Sequence, residues 1–159
     1  MKYVIDTSSI LEGATNRRYE LELFPTHWNN LSKIINEKIV VSTPLVLEEL
    51  GKKDDDMFKW AESRQNMFQP IIENVQIEHA NLFTAFPDWA EHNINKKPTW
   101  ADPELIAYSK AFDLTIVTQE KCNINAQKEE NYKIPTICFK YGVKCIDLLE
   151  LIRREKLHE

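Results

Sequence analysis

Short hydrophobic runs rich in β-branched residues alternate along the chain with longer segments in which apolar positions recur at helical spacing. Such runs at residues 2–5, 38–41 and 114–118 predict strands, and the run IPTICF at residues 134–139 predicts another. Short strands that alternate with helical segments are typical of an α/β domain. The sequence therefore predicts a mainly parallel sheet covered by helices.

The segments between these runs predict helices with defined ends. Ser42-Thr43-Pro44 supplies a hydroxyl residue and then a proline at the start of the helix LVLEELGKK. Asp102-Pro103 opens a second helix that runs to about Phe112. Further helices are expected at residues 28–36, 57–65, 69–83 and 148–156, whereas residues 86–98, bounded by prolines, favour no single structure.

Composition excludes several classes of protein. A chain of 159 residues fits one domain with a single core. The three glycines, at positions 13, 51 and 142, lie too far apart for a phosphate-binding loop of the GxGxxG or Walker type. No stretch approaches the roughly 18 apolar residues that span a bilayer, and the N-terminus lacks the apolar core of a signal peptide. We therefore expect a cytoplasmic protein without a membrane partner.

The cysteines and histidines form no motif. Cys122, Cys138 and Cys145 are odd in number and contain no CxxC pair, which argues against a disulfide framework or a zinc site. We expect small, semi-buried thiols in a reducing compartment. The four histidines are scattered, so they are interpreted as structural or surface residues.

The net charge of −5 is unfavourable for contact with nucleic acid, because phosphates bind lysine and arginine. A bound metal ion would offset an acidic cluster locally, so the global charge does not decide the question. Basic residues are instead concentrated in local groups: Arg17-Arg18, Lys52-Lys53, Lys96-Lys97 and the segment RREK at residues 153–156.

Carboxylates follow or flank the predicted strands. Asp6 comes directly after the first strand and Glu120 follows the strand at residues 114–118. Asp102 opens a helix, and Glu48 and Glu49 lie in another. Because parallel strands end along one edge of a sheet, these side chains are expected to converge there.

Each carboxylate also has an ordinary interpretation. Asp102 before Pro103 is a good helix cap, and Asp6 before two hydroxyl residues suits a turn. Glu48 and Glu49 suit an exposed helix surface, and Glu120 suits a solvated loop. Taken together, acidic residues without a histidine or thiolate motif indicate a hard-cation site that would hold Mg²⁺ or Mn²⁺.

Three stretches resemble the motifs of PIN domains, small metal-dependent nucleases that include the toxin ribonucleases of bacterial toxin–antitoxin pairs. YVIDTSSI is similar to their first strand, STPLVLEELGK to their second acidic motif, and ADPELIAYSKAFDLTIVTQEK to their third. The closing IPTICFKYGVKCIDLLELI resembles the end of a PIN-like branch. The resemblance implies one PIN-like domain over residues 1–159, with a three-layer α/β/α fold.

The resemblance also implies the residues of the site. Glu49 matches the second acidic position better than Glu48, and Gln119-Glu120 departs from the aspartate that is usual there. The implied metal ligands and catalytic residues are Asp6, Glu49, Asp102 and Glu120. The implied supporting residues are Thr7 or Ser8 beside Asp6, Glu104 beside Asp102, and Thr118, which would bind a phosphate or a ligand water.

The implied activity is a Mg²⁺- or Mn²⁺-dependent endoribonuclease with an RNA substrate and, for a toxin, an antitoxin protein partner. The alternatives are a catalytically degenerate module that binds RNA or protein and a hydrolase of small phosphate esters. The terminal helix LLELIRREKL either forms a homodimer or antitoxin surface or packs on the sheet. The aromatic residues of segment 54–98 are expected to pack in the core rather than to stack on bases.

Overall fold

Four short parallel strands form the centre of the computed structural model, which describes residues 1–159. They are β1 (Tyr3–Ile5), β2 (Val40–Val41), β3 (Thr115–Val117) and β4 (Lys144–Ile146). Their order in the sheet is β2-β1-β3-β4, so β1 and β3 are central. Val4 pairs with Val41 on one side and with Ile116 on the other, and every pairing is parallel. The predicted parallel sheet is confirmed.

Helices connect the strands and cover the sheet. In chain order they are α1 (Thr7–Ile10), α2 (Pro25–Asn36), α3 (Pro44–Lys53), α4 (Asp55–Glu62), α5 (Glu73–Ala85), α6 (Pro87–Lys96), α7 (Asp102–Phe112), α8 (Ile134–Tyr141) and α9 (Leu148–Arg154). None is long and apolar enough to cross a membrane.

Two apolar clusters flank the sheet because side chains alternate along a strand. On β3, Val117 belongs to a cluster of 27 buried residues, whereas its neighbour Ile116 belongs to a cluster of nine. The larger cluster includes residues of α2, α3 and α4, and the smaller one includes residues of α6 and α8. The fold is thus the predicted three-layer α/β/α arrangement.

Proline positions explain several differences from the predicted helix starts. α2 starts three residues earlier than predicted because Pro25 occupies its first position. α5 starts at Glu73 rather than at residue 69, since Pro70 disfavours helical backbone before it. Pro87 likewise starts α6, within the segment for which the pattern favoured no structure.

The predicted strand IPTICF is wrong, because these residues form α8. Pro135 lies in the first turn, and Gly142 ends the helix with a left-handed φ of 73°. Ile134, Ile137 and Cys138 are buried at helical spacing. A short apolar run fits a buried helix as well as a strand, so periodicity alone could not separate them. The fourth strand is β4, ten residues further on.

The aromatic residues of the middle segment pack as expected. Trp60, Phe86, Trp89 and Trp100 are all buried in one of the two clusters. Trp89 and Trp100 contact each other edge to face, with ring centroids 4.5 Å apart. These rings therefore stabilise the domain and present no stacking surface.

The terminal helix also packs on the domain. Leu148, Leu151 and Ile152 of α9 are buried in the larger cluster, while Arg153 and Arg154 remain exposed. Asp147 caps α9 by accepting a hydrogen bond from Glu150 N at 2.7 Å. The apolar face of the helix is thus used within the chain.

Candidate functional site

Asp6 lies at the C-terminal end of the central strand β1, as predicted. Its backbone N–H bonds to Val117 O of β3 at 2.9 Å, which ties it to the sheet. One carboxylate oxygen, Oδ2, accepts from Ser8 Oγ at 2.6 Å and from Thr118 Oγ1 at 2.8 Å. These hydroxyls hold the buried carboxylate in one orientation and leave Oδ1 free as a ligand.

Glu49, not Glu48, is the acidic residue that α3 directs into the site. Glu48 is exposed, whereas Glu49 is buried. Its Oε2 accepts from Thr7 Oγ1 at 2.6 Å, and its Oε1 accepts from Ala101 N at 3.0 Å. Thr7 or Ser8 was expected to orient Asp6; in the structure Ser8 bonds to Asp6, and Thr7 orients Glu49 instead.

Asp102 is the first residue of α7 and makes no capping hydrogen bond. The interpretation of Asp102 as a helix cap is therefore wrong. Its nearest basic partner is Lys97, whose Nζ lies 3.9 Å from Oδ2. The carboxylate is thus oriented towards the same space as Asp6 and Glu49.

Gln119 and Glu120 each accept a backbone hydrogen bond at the start of a helix. Glu120 Oε2 accepts from Ile134 N, the first residue of α8, at 2.9 Å. Gln119 Oε1 accepts from Leu148 N, the first residue of α9, at 3.0 Å. The departure from the motif therefore has a structural role, and Glu120 Oε1 still remains available as a ligand.

Two supporting residues do not have the positions expected of them. Glu104 Oε1 accepts from Leu45 N at the start of α3, 3.2 Å away, and does not line the cavity with Asp102. Burial raises the pKa of Glu104. Thr118 is buried and donates to Asp6 instead of facing the cavity. Glu104 thus links α7 to α3 by a hydrogen bond. Thr118 contributes to the site by orienting the Asp6 carboxylate.

One cavity of about 370 Å³ brings the four predicted carboxylates together, and none of its twelve lining residues is hydrophobic. Besides hydroxyl residues and Pro98, four lysines line it: Lys52, Lys53, Lys96 and Lys97. The first two end α3 and the other two follow from the end of α6. The sequence showed both lysine pairs, but only the fold places them around the carboxylates. Thr99 also lines the cavity and accepts a hydrogen bond from Lys52.

Burial and mutual repulsion shift the protonation of the acidic groups. Burial raises the pKa of Asp6 to about 6, with a further increase from the charges of Glu120 and Glu49 and an opposing effect of its hydroxyl donors. Burial raises the pKa of Asp102 to about 7, again with repulsion from Glu120 and Asp6. At Asp102, burial and repulsion therefore outweigh the attraction of Lys97.

The lining fits a hard divalent cation by its donor chemistry, since carboxylate and hydroxyl oxygens line it and no histidine or cysteine does. No group of three acidic, histidine or cysteine side chains is arranged to hold one metal ion directly. Mg²⁺ keeps several waters and uses one or two carboxylates, so direct contact with all four is not required. The arrangement suits an ion bound partly through water.

A family model with the description "Domain of unknown function (DUF4411)" matches residues 3–158, nearly the whole chain. Neither the comparison with curated proteins nor that with solved structures found a match.

Proposed function

Since the chain belongs to the family described as a domain of unknown function (DUF4411), we propose a function from its own site: Mg²⁺- or Mn²⁺-dependent hydrolysis of phosphodiester bonds in RNA. The observation that carries this proposal is one cavity that is lined by four carboxylates and four lysines. The resemblance of three sequence stretches to PIN nucleases supports the same reaction.

The carboxylates provide the cation site. Asp6, Glu49 and Asp102 would hold the ion together with waters, and Glu120 would contact it or a second ion. A bound divalent ion polarises the phosphate and lowers the pKa of a water that it coordinates. The chain itself holds the ligands in place, because Ser8 and Thr118 orient Asp6 while Thr7 orients Glu49.

The lysines provide the phosphate site. Lys53 Nζ lies 3.9 Å from Glu49 Oε2, and Lys97 Nζ lies at the same distance from Asp102 Oδ2. These are long ion pairs, and both lysines are about half exposed, so they remain accessible to phosphate oxygens. Contacts of this kind position a nucleic-acid backbone without reading its sequence.

The proposal is tested by Asp6→Asn and Asp102→Asn, assayed on single-stranded RNA with Mn²⁺ and with EDTA. We expect each change to lower cleavage by roughly a hundredfold or more, because outer partners of metal ligands alone contribute ten- to a hundredfold. Asp113→Asn is the matched control, since this exposed aspartate lies outside the cavity and has a left-handed φ that asparagine tolerates. Undiminished cleavage in both variants, or in EDTA, contradicts the proposal.

A second candidate is a binding module that does not cleave RNA. The observation that favours it is the absence of three side chains arranged around one ion. Calorimetry separates the two candidates: submillimolar Mn²⁺ binding that disappears in Asp6→Asn supports the nuclease. RNA binding without any Mn²⁺ binding supports the module. Turnover of p-nitrophenyl phosphate without RNA cleavage would instead indicate a hydrolase of small phosphate esters.

The proposal extends to a toxin that is neutralised by an antitoxin protein. Induction of the intact chain in bacteria should then arrest growth, and induction of Asp6→Asn to the same protein level should not. Co-expression of the product of a neighbouring gene should restore growth. Normal growth on strong induction of the intact chain contradicts the toxin role but leaves the RNA hydrolysis to be judged by the cleavage assay.

A further inference from the structure

A second cavity of about 390 Å³ lies directly beside the acidic one. Glu120 lines both cavities, so its side chain forms their shared wall. Thr118 lines the second cavity, and its hydroxyl bonds to Asp6 of the first at 2.8 Å. A ligand that extends beyond the first cavity on the side of Glu120 would therefore reach the second.

The two cavities differ in charge and polarity. Four lysines and the four carboxylates of the proposed cation site line the first, with no hydrophobic residue. Five hydrophobic residues line the second, where Val143 and Ile146 supply apolar walls, and its charged residues are the carboxylates Glu120 and Asp147, with no lysine or arginine. A phosphate is thus favoured in the first cavity and disfavoured in the second. A nucleotide has both parts that this division requires: a charged phosphate and a flat, largely apolar base.

Phe139 of α8 supplies an aromatic face in the second cavity. Its side chain is 70% exposed, and it belongs to neither apolar cluster of the fold. By contrast, Trp89 and Trp100 pack against other aromatic rings within the domain. Nothing in the packing of the domain therefore requires an aromatic residue at position 139, whereas an exposed ring beside a phosphate site suits stacking on a base.

We propose that the second cavity binds one unpaired nucleobase of the RNA strand, stacked on Phe139, while the adjoining phosphate lies among the lysines of the first cavity. This inference rests on the proposed function, because it takes an RNA strand as the ligand. It defines the substrate as single-stranded at the site of cleavage, since a base in a duplex is not free to enter the cavity. A phosphate ester without a base would use the first cavity only.

The test compares Phe139→Ala with Phe139→Trp. The RNA carries one fluorescent base analogue, whose emission falls on stacking, at successive positions along the strand. At one position we expect the wild type to quench the emission, Phe139→Ala to abolish the quenching, and Phe139→Trp to retain it. Phe139→Ala should also raise the Kd and the KM roughly tenfold, as expected for the loss of one stacked base.

Three controls make the result specific. Phe24→Ala removes another exposed phenylalanine, which lies outside both cavities, and should leave quenching, Kd and KM unchanged. Cys122 is exposed and lines the second cavity, so bound RNA should slow its alkylation, whereas inorganic phosphate should not. An RNA with an abasic residue at the quenched position should bind as weakly to the wild type as intact RNA binds to Phe139→Ala.

The outcomes separate this inference from the proposed hydrolysis. Cleavage by the wild type with an unchanged KM in Phe139→Ala overturns the base site and leaves the hydrolysis standing. Quenching that depends on Phe139 in a protein that never cleaves RNA supports the base site and overturns the hydrolysis. Equal loss of binding in Phe139→Ala and Phe24→Ala also overturns the base site, because stacking at one position cannot explain it.

Discussion

Thr7 Oγ1 donates a hydrogen bond of 2.6 Å to Glu49 Oε2, across 42 positions of sequence. The bond joins the first residue of α1, directly after Asp6, to the buried glutamate of α3. Both side chains are buried, so the bond fixes the Glu49 carboxylate relative to the end of β1. The Thr7 hydroxyl group therefore fixes the position of Glu49 relative to Asp6, and both are proposed metal ligands.

Thr7→Val should weaken Mn²⁺ binding about tenfold, because the change removes this hydrogen bond while keeping the shape of the side chain. Thr7→Ser should retain most of the affinity, since it keeps the hydroxyl. Thr84→Val is the control, as the Thr84 hydroxyl bonds only to a carbonyl of its own helix. Calorimetry with Mn²⁺ measures the effect, and equal affinity in Thr7→Val and wild type contradicts the orienting role.

Lys97→Met should change metal and RNA binding in opposite directions. The ammonium group lies 3.9 Å from Asp102 and competes with a cation there, so its loss should tighten Mn²⁺ binding. RNA affinity should fall, and the slope of log K against log salt should decrease by about 0.7 for each phosphate that the variant no longer neutralises. Lys33→Met, outside the cavity, should change neither quantity. A fall in both affinities would contradict the competition.

Asp102→Asn should stabilise the metal-free protein, and increasingly so at higher pH. The pKa of Asp102 is raised to about 7 in the folded chain, from an ordinary value of 3.8, so the folded state binds more protons than the unfolded state between these values. Stability conferred by the protonated group is therefore lost as pH rises through about 7. The difference in unfolding free energy, variant minus wild type, should grow by at most about 4 kcal/mol from pH 4 to pH 8.

Urea unfolding at several pH values measures this difference, in which the titrating groups that do not interact with Asp102 cancel. Mn²⁺ at pH 8 should stabilise the wild type more than Asp102→Asn, because the ion relieves the repulsion that the variant lacks. A difference that does not change with pH would contradict the buried, repelled state of Asp102.

His27 provides the opposite pH dependence, away from the site. It is buried with both ring nitrogens unpaired, and burial lowers its pKa to about 4. Since the unfolded chain binds a proton near pH 6.5, stability from neutral His27 is complete above that pH and lost towards pH 4. The free energy of unfolding of the wild type should fall by at most about 3 kcal/mol between pH 6.5 and pH 4 because of this group, and His27→Phe should abolish that fall. Urea unfolding measures it. His158→Phe, a change at an exposed histidine, should leave the fall unchanged.

Glu120→Gln and Glu120→Ala should separate the two roles of this residue. Glutamine can still accept from Ile134 N, so the variant should keep the thermal stability of the wild type while losing cleavage activity. Alanine leaves that N–H without its partner and should also lower stability by about 1 kcal/mol. Full activity in Glu120→Gln would restrict Glu120 to its structural role at the start of α8.

Local patterns in the sequence determined the α/β class, the parallel sheet and the acidic residue after β1. Strands three residues long still gave a clear signal, since β-branched runs alternated with helices that carry proline at their starts. The sequence also offered Asp6, Glu49, Asp102 and Glu120 as one set, because carboxylates near strand ends converge in any parallel sheet.

Only the tertiary structure decided which neighbours each of these residues has. Thr7 reaches Glu49 and not Asp6, and Glu104 bonds to α3 and not to Asp102, because those contacts depend on how helices pack. IPTICF became a helix because its apolar run satisfies either period, and burial in the smaller cluster selected the helical one. The structure also decided that the two lysine pairs lie beside the carboxylates and that Phe139 lines the adjoining cavity. The spacing of residues within one segment does not predict contacts between segments that are distant in the chain.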